Sequence, residues 1–292
     1  MQRHFERFPA SALSVQGARG ARCWRTPRVF LTRRGMHCES AGRTPNATMT
    51  LNELCDNCNT KNFTTLAANS SMTASATSDQ ARLNMVESQI RTWDVLDQGV
   101  LDLLNEIKRE EFVPQRYVSL AYADLEIPLG HGEVMLAPKL EARMLQELAV
   151  VRTDKILEVG TGSGYVTALL ARLGGQVVSV ERIPELSGAA TRKLAGHGIS
   201  NVQIQVGDAA QGWPSAAPYD VILLTGSLPV LPQTFRDQLA IGGQLLAVIG
   251  EAPVMTATLI TRISQTAFSS TGLFETSIPP LRNVSQPARF VF

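Results

Sequence analysis

From Ala81 onward, apolar positions recur at helical intervals through Leu83, Met85, Val86, Ile90 and Trp93. Asp97 then precedes a second run of Val100, Leu101, Leu103, Leu104 and Ile107. Two amphipathic helices follow from that spacing, the second with an acidic start signal. A loop punctuated by Pro and Gly is expected from Tyr122 to Pro138, and then a third helix with Leu140, Met144, Leu145 and Leu148 on its apolar face. After Thr153 the pattern changes to short runs rich in β-branched residues at 156–159, 177–180, 202–206, 221–224 and 245–249. Residues 166–173, 185–194 and 233–239 lie between them with the length and spacing of crossover helices. That alternation predicts a parallel sheet covered on both faces. Residues 255–263 and 274–278 are expected to supply edge strands.

Composition separates the two ends of the chain. Of 292 residues, 44% are hydrophobic and 18% charged, which suits a globular domain. Residues 1–71 carry a charge of +6 and the remainder −5. The first segment mixes Arg, Ser, Thr, Asn and Gly without apolar periodicity, so burial there cannot offset the entropy of ordering, and disorder is expected. It reads as a basic targeting leader or as an extension upstream of a true start at Met49 or Met72. Its arginines are scattered rather than presented on an element, which argues against a nucleic-acid partner. Cys23, Cys38, Cys55 and Cys58 all fall in this segment, and residues 72–292 hold no cysteine. With His37 they offer a zinc set of plausible type, but the CxxC pair lies outside any zinc-ribbon pattern, so no metal is expected. No apolar stretch approaches the roughly 20 residues that cross a bilayer. The expected organisation is a leader or extension at 1–71, one α/β domain at 72–283 and a short tail at 284–292, with the protein a cytoplasmic monomer.

The chemistry concentrates in Ile156-Leu157-Glu158-Val159-Gly160-Thr161-Gly162-Ser163-Gly164-Tyr165, a buried strand that delivers an acid and then GxGxG into a helix. Glycines at such a turn admit unusual dihedrals and close approach of a ligand. The spacing is shorter than the dinucleotide GxGxxG, and Glu158 stands where a pyrophosphate would be repelled. An acid there favours a ligand with a positive end, such as the amino group and sulfonium of S-adenosylmethionine. Glu181 closes the next strand, where a carboxylate can accept both ribose hydroxyls, and Asp208 with Ala209 follows the third, placed to read adenine. Gly160, Thr161, Gly162, Ser163 and Gly164 are then expected around the methionine part. The whole predicts a Rossmann-like class I fold.

Residues 81–283 resemble the protein-L-isoaspartate O-methyltransferase family. The resemblance rests on Met85-Val86-Glu87-Ser88-Gln89-Ile90, Glu111-Phe112-Val113-Pro114, Ala121-Tyr122-Ala123-Asp124, Pro128-Leu129-Gly130-His131-Gly132, the glycine turn, Gly212-Trp213-Pro214, Ala217-Pro218-Tyr219-Asp220 and Gly242-Gly243. It implies a seven-stranded, mostly parallel sheet with an antiparallel edge hairpin. It also implies methyl transfer from S-adenosylmethionine to the free carboxylate of isoaspartyl residues in damaged proteins. In the acceptor loop, where the family typically carries Gln-Thr-Ile-Ser, this chain reads Glu133-Val134-Met135-Leu136. Val134 and Leu136 thus replace two hydroxyls, and Glu133 adds an acid that would repel an anionic acceptor. Thr225 and Ser227, at the end of the fourth strand, are candidates to replace those hydroxyls. A small-molecule acceptor and a noncatalytic adenosylmethionine-binding scaffold stay open as alternatives. His131 is expected on a loop surface, and Trp93 and Trp213 in packing roles.

Overall fold

The structure, a computed structural model, describes residues 77–286. The expectations for residues 1–71, the four cysteines and the zinc set among them, lie outside those residues. The first helix, α1 (77–93), passes from α-turns into a π-helical stretch, Val86–Ile90, and a closing 3-10 turn, Arg91–Trp93. In α2 (Gln98–Glu106) the Asp97 carboxylate caps the first turn by accepting the Val100 N–H at 2.9 Å. Met85, Val86, Ile90, Val100, Leu101, Leu103, Leu104 and Ile107 are all buried, as their spacing predicts.

The stretch expected as a loop contains a short hairpin, β1 (Ile127–Gly130) with β2 (Glu133–Met135). Three and four residues are too few to show the period-two pattern by which a strand is read. His131 sits exposed at its tip with φ +56°. Helix α3 (Pro138–Leu148) follows, its Pro138 at the first-turn position where a missing N–H costs nothing.

Then come β3 (Lys155–Val159), α4 (Tyr165–Leu173), β4 (Gln176–Glu181), α5 (Pro184–Gly196), β5 (Val202–Val206) and β6 (Tyr219–Leu224). A short α6 (Gln233–Asp237) leads to β7 (Leu239–Glu251), β8 (Val254–Arg262) and β9 (Phe268–Glu275). They form one seven-stranded sheet in the order β5-β4-β3-β6-β7-β8-β9. The first five pair in parallel, and β8 runs antiparallel to both its neighbours. This is the α/β Rossmann-like architecture that the sequence pattern predicts, with two differences. The edge strand occupies 268–275 rather than 274–278, because its polar residues Ser269, Ser270 and Thr271 face solvent at an open edge and hide the apolar pattern. Residues 276–283 return across the sheet end instead.

Side chains alternate across the pleat. Ile156, Val177, Val221 and Leu223 pack toward the helical preamble, α3 and α4, while Leu157, Val178, Ile222 and Leu224 pack with Phe235 and Leu239 on the other face. From β3 the chain winds first to β4 on one side and later returns as β6 on the other. The crevice beyond the carboxyl ends of β3 and β6 is therefore the topological switch point at which such sheets bind ligands.

Candidate active site

Gly160 and Gly162 turn the chain out of β3 with φ +98° and +52°. A Cβ on Gly160 would collide with the Thr225 hydroxyl at the end of β6. That hydroxyl lies 2.9 Å from the carbonyls of both Val159 and Gly160, so its single proton is committed to holding the turn against β6. Gly160, Thr161, Gly162 and Ser163 line an open cleft of about 950 Å³, its mouth included. Glu181, Asp208, Ala209 and Thr225 line the same cleft. Gly164 does not: its φ of +83° starts α4, and a Cβ there would stand 3.0 Å from that of Ala190 on α5. Its lack of a side chain serves helix packing, a correction to its expected ligand role.

Glu181 ends β4 and folds its carboxylate back over the turn. Oε2 accepts the Gly162 N–H at 2.8 Å and Oε1 the Ile183 N–H at 2.9 Å. Asp208 accepts the Ala210 N–H at 2.9 Å and the Asn283 side-chain amide at 2.6 Å. An ionised carboxylate offers about four lone-pair sites, so both retain capacity for ligand hydroxyls or amines.

Glu158 departs from expectation. It is wholly buried and absent from the cleft wall, with Oε2 accepting from Thr167 at 2.5 Å and Ser179 at 2.6 Å and Oε1 without a partner. Burial pushes its carboxyl up to about 8, with smaller upward contributions from Glu181 and Glu141, against the two hydroxyl donors. Ser227 departs too, being 1% exposed and donating to the Ile278 carbonyl at 3.0 Å beneath the returning segment. It cannot stand in for a lost acceptor hydroxyl.

The acceptor side of the cleft is walled by Val134 and Leu136, as the sequence places them, and by Glu133. Arg282, also on the wall, sets its Nε 3.0 Å from Glu133 Oε1, so the acid expected to repel an anionic acceptor is paired. Arg109 is fully buried, donates to Glu141 and, at 2.5 Å, to the Leu136 carbonyl, and lies over the Tyr165 ring at 5.1 Å. Glu141 lines the cleft. Arg282, Arg109 and Glu141 were not among the residues singled out from sequence. For Glu141 a signal existed, since it shares the α3 stripe of Leu145 and Leu148, and an acid on a buried stripe needs a partner. Trp213 packs across Gly207, and Trp93 meets Phe274 edge-on at 6.1 Å.

A sheet of this order, with the glycine turn at its switch point and carboxylates beyond β4 and β5, defines a class I S-adenosylmethionine-dependent methyltransferase. A family model described as protein-L-isoaspartate(D-aspartate) O-methyltransferase matches residues 80–282. The chain is 36% identical over 203 residues to the protein-L-isoaspartate O-methyltransferase of Methylorubrum populi, covering 70% of this chain and 95% of the relative. It is 43% identical over 169 residues to protein-L-isoaspartate O-methyltransferase 1 of Rhodopseudomonas palustris, covering 58% and 69%. A solved protein-L-isoaspartate O-methyltransferase aligns with TM-score 0.60 and 28% identity over 68% of this chain and 65% of that one. A Plasmodium falciparum structure described as a complex with S-adenosyl-L-homocysteine shares the fold at TM-score 0.60 and 21% identity, over 68% and 97%. The chain belongs to the protein-L-isoaspartate(D-aspartate) O-methyltransferase family.

Proposed function

We propose that the chain methylates the free carboxylate of L-isoaspartyl residues in damaged proteins, as a cytoplasmic monomer. The observation that carries this reading is a single cleft shared by the two halves of the reaction. It runs from Asp208 past Glu181 and the glycine turn to Val134, Leu136 and Arg282. Gly160, Thr161, Gly162 and Ser163 take the methionine part of S-adenosylmethionine, Glu181 the ribose, and Asp208 with Ala209 the adenine. The cofactor's sulfonium supplies the electrophilic methyl.

What is left to the protein is alignment and the exclusion of water. An acceptor carboxylate with an ordinary pKa of about 3.9 is already ionised at neutral pH and needs no strong general base. Of the five N–H donors of Arg282, one goes to Glu133 and one, at 3.4 Å, to the Gly132 carbonyl. The others are available to hold an acceptor carboxylate, while Val134 and Leu136 keep the transfer path apolar. Those two apolar walls also favour a second reading, a less polar small-molecule acceptor at the same place.

Radiolabelled methyl transfer to an isoaspartyl peptide and to its aspartyl counterpart separates the readings. Incorporation on the isoaspartyl peptide alone is expected. Incorporation on neither peptide contradicts repair and directs attention to small acceptors. Arg282→Ala should raise KM for the peptide several-fold with S-adenosylhomocysteine affinity unchanged; an unaltered KM would remove Arg282 from the acceptor site.

A further inference from the structure

Glu141 enters the cleft from α3, away from the loops that follow the strands. It is 2% exposed, its Oε2 is held by Arg109, and its Oε1 takes no hydrogen bond from any described residue. Arg109, 0% exposed and fixed to the Leu136 carbonyl, prevents the carboxylate from turning away. With Oε2 committed to Arg109, Oε1 is the oxygen left open to the cleft, where a donor that the chain itself does not supply can reach it.

The sheet order says which part of the cofactor lies there. β5, β4 and β3 are neighbours, so Asp208, Glu181 and the glycine turn succeed one another along the cleft in the order adenine, ribose, methionine. Val166, Leu136 and Glu141 share the cleft wall with the turn's Ser163, and Glu141 stands near enough to Glu158, just ahead of the turn, to act on its carboxyl. We infer that Glu141 anchors the α-ammonium of S-adenosylmethionine through Oε1, with Arg109 as the residue that positions it. The inference rests on the cofactor reading above and gives Glu141 the role that the sequence pattern assigns to Glu158. Burial pushes the Glu141 carboxyl up to about 7 while Arg109 pulls it down, and a second cation on the open oxygen favours the ionised form further. An anion in that position would be repelled.

Calorimetry on the full chain with two ligands tests this. S-adenosylhomocysteine carries the ammonium, whereas 5′-methylthioadenosine lacks the whole amino-acid end. Glu141→Gln keeps the side-chain shape and a carbonyl for Arg109. It should weaken S-adenosylhomocysteine by about 10- to 100-fold, the range of a charge-assisted hydrogen bond, and leave 5′-methylthioadenosine unchanged. Equal weakening of both ligands, or none for S-adenosylhomocysteine, overturns the assignment. If the wild-type chain binds neither ligand, the cofactor reading fails instead. Should the variant not fold, a crystal structure of the wild-type chain with S-adenosylhomocysteine decides. The ammonium nitrogen is expected within about 3.2 Å of Glu141 Oε1, and a separation beyond about 4 Å refutes the contact.

Discussion

Glu158 and Glu181 look alike in the sequence, each an acid near the end of a β-branched run, yet only one reaches the cleft. Glu181 is the last residue of β4, and Asp208 lies two residues beyond β5, so both clear the strand ends. Glu158 is one residue short of the end of β3, on the pleat face of Ile156, and a strand covered on both faces must bury it. The pleat thus explains why two of the three expected carboxylates line the cleft and the third does not. It also makes Glu158 a source of pH dependence. Its folded pKa of about 8 exceeds the ordinary 4.5, so the native state binds the proton more tightly than the unfolded chain. The stability this group contributes is full below about pH 4.5 and is lost as the pH rises through about 8. Glu158→Gln, neutral throughout, should flatten the fall in Tm between about pH 5 and 8, read by thermal denaturation; curves that stay parallel would contradict a protonated Glu158. On the acceptor wall, Leu136→Ser restores one hydroxyl and should raise isoaspartyl methylation by up to about tenfold, one hydrogen bond's worth. An unchanged rate would mean that the acceptor is not read at this position.

Elements with long apolar runs were legible: the five parallel strands, α4 and α5, and the helical preamble all lie where periodicity puts them. The β1–β2 hairpin was not, being too short to carry a period, and β9 was displaced because an exposed edge strand leaves its pattern polar. The glycine turn was legible as a motif, but its three glycines act differently, and only packing reveals it. Gly160 yields to Thr225 on the cleft wall, whereas Gly164 lets α4 start against α5. Gly164→Ala forces a residue with a side chain into φ +83° and a Cβ to 3.0 Å from that of Ala190. It should cost about 1–3 kcal/mol in denaturant unfolding while S-adenosylhomocysteine affinity is largely kept. Gly160→Ala should do the reverse in emphasis, displacing the Thr225 hydroxyl and weakening the ligand. Gly164→Ala as stable as wild type would contradict the packing role.

At the scale of the molecule, the site is made by segments far apart in sequence. Arg282 and Glu133 meet across 149 positions, and Asn283 reaches Asp208 across 75, because the chain after β9 returns over the carboxyl ends of the strands. Local patterns carry no trace of such pairings, which is why Glu133, Val134, Leu136, Glu181 and Asp208 were readable as cleft residues while Arg282 and Asn283 were not. Lys193 makes a further long-range tie, donating from α5 to the Phe112 carbonyl of the preamble at 2.6 Å. The account depends on the strand-end carboxylates holding a nucleoside, and a calorimetric titration of the full chain with S-adenosylhomocysteine tests that most directly. A single-site isotherm is predicted for the wild-type chain, with affinity at least about tenfold weaker in Glu181→Ala. No measurable binding by the wild-type chain, or equal affinity in the two, would contradict it.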